Sequence, residues 1–311
     1  METKENGTEV EIMPEKKGPC AAPFLKSKET TATIMRDVVI ALLPAAAFGV
    51  YWFGFRAFLI LLLSVTSCVL TEHVCKRIRK VQTGGYECSA VVTGLLLGMM
   101  LPLNVPYWFP VAGGIVAIGL VKMLFGGLGR NYLNPAATAK CLFFALAGPL
   151  MNIYTKNYVV TWNETSLSDL FFGFGVGMIG EISTFLILLG GLYLLFTKVI
   201  SLHIPVTYLV SFLLVLAIFG GYGTDAEGLA RQVCVGGVLL GAFFLATDYT
   251  TSPMTTAGKV IYGVLLGTLT GVLRLFLFAT EAVAVAVLCG NVLVPLIDKL
   301  TLPKSFGKYK L

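Results

Sequence analysis

The feature that most constrains this chain is a series of apolar blocks between Val38 and Leu300, separated by short stretches rich in Pro, Gly and charged residues. A helix needs about 20 mostly apolar residues to cross the hydrocarbon layer of a bilayer, and each block is close to that length. Because lipid offers no hydrogen-bond partners, blocks of this kind must be helices. With 56% hydrophobic residues, 13% charged residues and a mean hydropathy of +0.83, a water-soluble domain is excluded.

The sequence therefore predicts an all-α integral membrane protein with about ten transmembrane helices. The predicted spans are Val38–Gly54, Ala57–His73, Cys88–Asn104, Tyr107–Phe125, Ala136–Met151, Phe174–Thr197, Ile204–Gly220, Val233–Thr247, Lys259–Phe278 and Glu281–Asp298. Three regions follow: a polar cytoplasmic N-terminal tail (1–37), a polytopic membrane domain (38–300) and a cytoplasmic C-terminal tail (301–311). The polar N-terminal tail has no apolar segment with a cleavage site, so we interpret it as a soluble tail and not as a signal peptide.

The basic residues predict the orientation in the membrane. If both termini are cytoplasmic, most Lys and Arg residues, including the Lys76–Lys80 cluster, fall on the inner side, and few fall on the outer side. This distribution is the one that the positive-inside rule expects. The net charge of +6 therefore reflects topology and contact with membrane lipid. No basic stripe with interleaved aromatic residues indicates nucleic-acid binding.

Two spans resemble each other in their glycine spacing. Gly94 and Gly98 lie in the third span, and Gly237 and Gly241 lie in the eighth. A Gly-x-x-x-Gly spacing lets two helix backbones approach closely. Five spans separate the two segments, so they run in opposite directions through the membrane. We therefore predict a five-plus-five inverted repeat with broken helices, as in many secondary transporters.

Three interruptions between the apolar blocks are richer in glycine or hydroxyl groups than ordinary turns: Gly126–Pro135, Gly173–Glu181 and Thr247–Thr256. Asn134 can cap a helix that begins with Pro135. Helix N-termini at membrane depth suit an anionic group such as a phosphate. Each interruption taken singly is equally explained by a glycine hinge before a capped helix, but the three together favour a ligand or cofactor site.

Ionisable residues in or near the apolar blocks are functional candidates because a charge in lipid is costly. We expect Lys122 and Lys140 to extend toward the inner interface, since a lysine stem can carry its charge to water. The seven cysteines are scattered without a C-x-x-C pair, so we expect them to act as small apolar residues. The two histidines are far apart and do not indicate a metal site. The candidates are Lys122, Lys140, Glu181, Asp248, Arg274 and Glu281.

The blocks K-S-K-E-T-T (Lys26–Thr31), S-A-V-V-T-G-L-L-L (Ser89–Leu97) and A-T-D-Y-T-T-S-P (Ala246–Pro253) are distinctive. In these and further blocks along nearly the whole chain, the sequence resembles the D-type subunit of the Rnf-type ion-translocating ferredoxin:NAD⁺ oxidoreductase. That family is related to the B-type subunit of the Na⁺-translocating NADH:quinone reductase. The matching blocks include the N-terminal sequence K-S-K-E-T-T and the turn G-G-L-G-R-N-Y-L-N-P-A. They lie at Lys26–Thr31, Ile34–Val38, Ser89–Leu97, Gly126–Ala136, Ile179–Thr184, His203–Leu209, Ala246–Pro253 and Asn291–Asp298.

The resemblance implies flavin cofactors. Members of this family carry FMN on a threonine within a Gly/Ser-Ala-Thr-Pro-Leu type sequence, and a second, non-covalent flavin (riboflavin) has been associated with them. This chain departs from that sequence, because its nearest equivalent is E-T-S-L, which nominates Thr165 and, as second choice, Thr161. The alternative is that Thr165 and Ser166 only cap the next helix. The other candidates for cofactor binding are Arg130, Asn134, Asp248 and Thr250.

The resemblance also implies a role as a membrane subunit of a bacterial or archaeal Rnf-type complex. Such a subunit couples electron transfer through flavin to Na⁺ or H⁺ translocation, with the ferredoxin and NAD⁺ sites on other subunits, and it is no enzyme alone. Glu181, Asp248 and Glu281 are then candidates for charge compensation near a flavin or for the ion path. Two alternatives remain open: a solute transporter or channel built on an inverted repeat, and a non-redox scaffold of the complex.

Overall fold

The computed structural model describes most of the membrane domain. All regular structure within this described part is helical. The described residues are 30–80, 88–124, 126–127, 131–155 (side chains to 147), 164–175, 177–277 and 280–302.

Helices of the first half include one with a π-helical continuation. The helix Trp108–Ile115 runs on as a π-helix over Val116–Met123, and the helix Pro135–Thr155 is kinked at Ala147. We number these helices α1 (Thr31–Phe53), α2 (Phe55–Ile78), α3 (Ser89–Met99), α4 (Trp108–Ile115) and α5 (Pro135–Thr155).

Helices of the second half show the same mixture of long and interrupted elements. They are α6 (Leu167–Phe172), α7 (Thr184–Phe196), α8 (His203–Phe219), α9 (Ala226–Cys234), α10 (Val238–Leu240, continued as a π-helix over Gly241–Leu245), α11 (Thr256–Phe276) and α12 (Ala282–Thr301).

The helices correspond to the predicted spans. Four of them, α1, α2, α11 and α12, are long and apolar enough to cross a membrane, and the bent pair of α9 with Val238–Leu245 can form a fifth span. Five shorter apolar helical segments occupy the remaining predicted spans. The prediction of an all-α multi-pass membrane protein is therefore confirmed.

Some predicted boundaries were wrong. Helix α1 begins at Thr31, several residues before the predicted start at Val38. The sixth span was predicted from Phe174, but α7 begins only at Thr184, where Ser183 accepts a hydrogen bond from the backbone N–H of Leu186. The glycine-rich segment before α7 forms no regular helix. It lies inside the protein, and its backbone bonds to another part of the chain: the N–H of Gly180 donates to the carbonyl of Met99 at 2.9 Å.

The two glycine pairs serve different purposes. A Cβ at Gly94 would lie 2.6 Å from Cα of Val65, so this glycine lets α3 approach α2 closely, as predicted. Gly237 instead has a φ of 68° and follows Gly236 with a φ of 63°. These left-handed residues bend the chain by 65° between α9 and the following helix. The predicted continuous span Val233–Thr247 is therefore wrong at its beginning.

Helix packing follows a similar order in the two halves. In the first half α2 packs against α4, and in the second half α8 packs against α11. The leading spans of the halves, α1 and α7, contact each other, and so do the closing spans, α5 and α12. This arrangement is the one expected of a five-plus-five repeat.

The outer surface of the bundle is apolar, as contact with lipid requires. Large apolar side chains such as Leu43, Leu62 and Leu214 are exposed, while small and aromatic side chains fill the interior. A monomeric soluble protein would not expose so much contiguous apolar surface.

Candidate functional site

A cavity opens at the end of the bundle where α3 and α5 begin and where the π-helix Gly241–Leu245 ends; we call it the inner cavity. It contains about 710 Å³ of empty space, part of which is open to solvent. Its polar lining consists of Ser89, Lys122, Asn131, Asn134, Asp248 and Thr250, and Phe243, Phe244 and Tyr249 supply aromatic surface.

Asn134 fixes the start of α5 at the cavity wall. Its Oδ1 accepts hydrogen bonds from the backbone N–H groups of Ala136 at 3.1 Å and Ala137 at 3.2 Å. Pro135 occupies the first helical position, as predicted. The Asn-Pro step thus caps the helix and places its N-terminus against the cavity.

Two of the predicted interruptions meet at this cavity. Asp248 Oδ1 accepts hydrogen bonds from the backbone N–H of Thr250 at 3.1 Å and from its hydroxyl at 3.0 Å, which closes a tight turn. Nδ2 of Asn131 donates to the same Thr250 hydroxyl at 3.3 Å. The structure therefore brings Asn134, Asp248 and Thr250 together, while Arg130 lies outside the described residues.

Lys122 does not extend toward the interface, so that prediction is wrong. Its side chain is buried, and its ammonium donates to Ser89 Oγ at 2.6 Å and to both carboxylate oxygens of Glu72 at 3.2 Å. Glu72 also pairs with Lys76 at 2.8 Å. The lysine stays inside the bundle because a carboxylate and a hydroxyl inside the protein replace water around its charge.

Lys140 is buried too, and the same correction applies to it. Its ammonium lies 3.2 Å from Glu281 Oε2 and 3.0 Å from the sulfur of Met178. Glu181, also buried, is close enough for the charges of Lys140, Glu281 and Arg274 to act on it. We call these four residues (Lys140, Glu181, Arg274 and Glu281) the buried charge cluster.

Arg274 ties this cluster to the break between α9 and α10. Its Nη1 donates to the carbonyl of Gln232 at 2.6 Å, and its Nη2 donates to the carbonyls of Val235 at 2.9 Å and Gly236 at 3.1 Å. One guanidinium therefore satisfies the carbonyls that the broken helix leaves without helical partners. Glu181 packs directly against Gly237, where a Cβ would collide with its Oε1.

Thr165 lies at the start of α6, directly before the N-cap residue Ser166. The helix is capped by Ser166, whose Oγ accepts from the backbone N–H of Asp169 at 3.2 Å. Thr165 is half-buried, and its carbonyl accepts a hydrogen bond from Arg231. Ser166 alone therefore serves as the N-cap, while the second-choice residue Thr161 lies outside the described residues.

Sequence reasoning missed two polar residues that contact Lys122, Glu72 and Ser89, and one that lines the inner cavity, Asn131. Glu72 precedes Lys76 by one helical turn, which is a recognisable pairing in an otherwise apolar helix. Ser89 and Asn131 had no comparable signal, because their roles depend on Lys122 and Thr250 in other parts of the chain.

The fold and cavity define a class: a multi-pass α-helical membrane protein with interrupted helices around an internal polar site. The match to a family model is more specific. Residues 20–307 match the model described as the NQR2, RnfD, RnfE family, and the chain belongs to that family.

Individual relatives are similar over almost their full length. The D-type subunit of the Na⁺-translocating ferredoxin:NAD⁺ oxidoreductase complex of Acetobacterium woodii is 39% identical, over 94% of this chain and 95% of the relative. The D-type subunit of the proton-translocating ferredoxin:NAD⁺ oxidoreductase complex of Clostridium ljungdahlii is 33% identical, over 92% and 95%. The D-type subunit of an ion-translocating oxidoreductase complex from Halorhodospira halophila is 31% identical, over 94% and 96%.

Proposed function

We propose that this chain is the D-type membrane subunit of an Rnf-type complex, which couples electron transfer from ferredoxin to NAD⁺ to the translocation of Na⁺ or H⁺. The observation that carries this proposal is the near full-length similarity to proteins named as the D-type subunits of such complexes. Two of these relatives are named for different ions, so the proposal covers both. In this proposal the chain works with other subunits in the cytoplasmic membrane, with both termini inside.

We further propose that the inner cavity binds the isoalloxazine ring of a non-covalent flavin. A flavin, when bound, supplies one- and two-electron transfer. The residues present suit such a ring, because aromatic side chains line one part of the wall and polar groups line another. Oδ1 of Asn131 is buried without a hydrogen-bond partner and is suited to accept from a ring N–H.

The chain's own groups would hold the ring by position and charge. Phe243 and Phe244 offer flat apolar surface, and Lys122 keeps a positive charge beside the cavity. Asp248 and Thr250, held in their own turn, would contact the polar edge. These residues orient the ring and exclude water, and charge near the ring adjusts how readily it accepts an electron.

Covalent FMN on Thr165 is the second part of the cofactor proposal. Three observations support it: the loop before α6 is on the predicted outer face, Thr165 is not the helix cap, and an open apolar crevice adjoins the same loop. That crevice is lined by Leu167, Phe171 and Leu188 among others. A phosphoester at a threonine would leave the ring of the flavin unmodified.

Moving an ion across the membrane costs little free energy compared with what a redox reaction can release. Moving one charge across a membrane potential of 100 mV costs about 2.3 kcal/mol. Glu181, Asp248 and Glu281 are the carboxylates placed within or beside the bundle that could compensate charge during electron transfer. We propose that they act in this way.

The test of the subunit role uses membranes of a host from which this chain has been deleted. We expect ferredoxin-dependent NAD⁺ reduction to be lost and to return when the intact chain is supplied. Full activity without the chain would overturn the proposal. Uptake of a small solute by the purified chain alone would favour the transporter interpretation.

The test of covalent flavin is fluorescence in a denaturing gel of the chain produced with a flavin transferase, followed by mass analysis of the outer loop. We expect a fluorescent band that Thr165→Val abolishes, whereas the neighbouring control Ser168→Ala retains it. A band that survives Thr165→Val but not Thr161→Val would move the attachment to Thr161. A dark band for the intact chain would remove the covalent flavin.

A further inference from the structure

The buried charge cluster contains two carboxylates but only one lysine between them. Glu281 Oε2 lies 3.2 Å from the ammonium of Lys140, and both side chains are 2% exposed. Glu181 is buried as well, at 7% exposure. None of the three side chains has access to bulk water that could stabilise a charge.

The other positive charge of the cluster is already committed. Both terminal nitrogens of Arg274 donate to backbone carbonyls at the break before α10. The charge of Arg274 acts on Glu181, but the N–H groups of its two terminal guanidinium nitrogens already donate to other acceptors. Lys140 pairs with Glu281 at 3.2 Å and acts on Glu181 through its charge, while Nε of Arg274 is buried without a hydrogen-bond partner.

Hydrogen bonding leaves carboxylate oxygens of both glutamates unsatisfied. Oε2 of Glu181 and Oε1 of Glu281 are buried and have no hydrogen-bond partner, whereas Oε2 of Glu281 has the Lys140 ammonium 3.2 Å away. An ionised carboxylate buried without partners is costly, and such a group tends to take up a proton instead. Protonation removes the charge whose burial is costly.

We propose that Glu181, with the Lys140–Glu281 pair beside it, binds one exchangeable proton inside the membrane domain. Binding forms one O–H bond on a glutamate oxygen, release breaks it, and water outside the bundle supplies and receives the proton. The cluster then alternates between one and two negative carboxylates facing one lysine. Its use in ion translocation rests on the proposed function, whereas proton binding itself does not.

Other titratable groups surround the cluster on the packed elements. Cys141 on α5 and Cys289 on α12 lie near the Lys140–Glu281 pair. Tyr208 on α8 lies near Arg274. Neither thiol nor phenol can replace a carboxyl as the group that binds the proton near neutral pH, because their ordinary pKa values lie at about 8.5 and 10.

The glycine at the break keeps the carboxylate in place. Because Gly237 carries no side chain, Glu181 lies directly against the start of α10. The positive φ of Gly237 brings the chain around that carboxylate. The sharp break in the eighth span thus creates the pocket that Glu181 fills.

The experiment is infrared spectroscopy of the purified complex across a range of pH, in H₂O and in D₂O. We expect a C=O stretching band of a protonated carboxyl that shifts in D₂O and disappears in Glu181→Gln. The matched control Glu227→Gln, on the exposed surface of α9, retains the band. A complex with no such band at any pH would overturn the proposal, and so would a band that persists in Glu181→Gln.

A second variant keeps the test decisive if the glutamine variant fails to fold. Lys140→Met removes a positive charge that acts on Glu181, so the pH midpoint of the band is expected to rise by about one unit or more. An unchanged midpoint would overturn the site. The pH midpoint would fall when sodium replaces choline at constant ionic strength if Na⁺ competes with the proton for the carboxylate. Such a fall would identify Na⁺ as the occupant of the site and would overturn the proposal of a proton site. Ferredoxin:NAD⁺ activity, measured separately on the same complex, reports on the proposed function alone.

Discussion

The inner cavity and the buried charge cluster occupy matching places in the two halves of the chain, but they are built differently. Lys122 near the end of the fourth span and Arg274 near the end of the ninth are both buried cations. Lys122 donates to a carboxylate and a hydroxyl beside an open cavity. Arg274 donates to backbone carbonyls instead, and its charge acts on the buried carboxylate of Glu181.

This difference shows how a repeated architecture can be adapted to separate tasks. In the first half the helix starts at Ser89 and Asn134 surround space that a ligand could enter. In the second half the corresponding helices start at Gly237 and Glu281. The carboxylate of Glu181 lies against Gly237, and Glu281 is itself a buried carboxylate that pairs with Lys140. The same backbone plan therefore provides an open cavity in one place and a closed electrostatic site in another.

The largest expected effect is that of Arg274→Met. Three carbonyls at the break before α10 would lose their donor in a buried place, so we expect the free energy of unfolding to fall by about 3 kcal/mol or more. Denaturation in mixed detergent micelles measures this loss. Lys299→Met, at an exposed position on α12, is the matched control. A stability equal to that of the intact protein would show that the break does not depend on the guanidinium.

Glycine substitution comes second. In Gly94→Ala the new Cβ would lie 2.6 Å from Cα of Val65, so α3 and α2 must separate. We expect a loss of about 2 kcal/mol. Gly177→Ala meets no atom within 4 Å and serves as control in the same unfolding measurement. Equal stability of the two variants would contradict close packing at Gly94.

Lys122→Met sharpens the contrast between the two cations. Glu72 keeps its second partner Lys76 at 2.8 Å, so we expect a smaller loss than for Arg274→Met, about 1–2 kcal/mol. Flavin retained by the purified complex should fall at the same time. A loss of stability as large as that of the arginine variant would show that the two sites are equally essential to the fold.

The smallest expected effect is that of Asn134→Ala, which removes the cap of α5 and should cost about 1 kcal/mol. Asn134→Asp keeps an oxygen that can accept from Ala136 and Ala137, so we expect it to restore most of the loss. If the aspartate variant is as unstable as the alanine variant, the weak bond from Nδ2 to the carbonyl of Leu245 at 3.5 Å is the more important contact.

Hydropathy was sufficient to locate the spans, because each block needs only enough consecutive apolar residues of its own to cross the bilayer. The Asn134 cap was predictable for a similar reason, since capping depends on neighbours along the chain. The break at Gly237 was not predictable, because a glycine that admits another helix and a glycine that bends its own look alike in sequence.

The depth of Lys122 and Lys140 was mispredicted because it depends on partners from distant parts of the chain. Glu72 lies two helices before Lys122, and Glu281 lies beside the last helix. Local sequence shows that a lysine is near the end of an apolar block, but it does not show whether a carboxylate from another helix pairs with it inside the protein.

The pairing of Lys140 with Glu281 has a consequence for how the protein is made. Helix α5 leaves the ribosome long before Glu281 is synthesised, and an unpaired lysine inside an inserting helix is costly. Until the final helix arrives, α5 is therefore expected to remain near the insertion machinery or its water-filled channel. Truncated nascent chains that end before Glu281 should be the forms that membrane quality-control proteases remove.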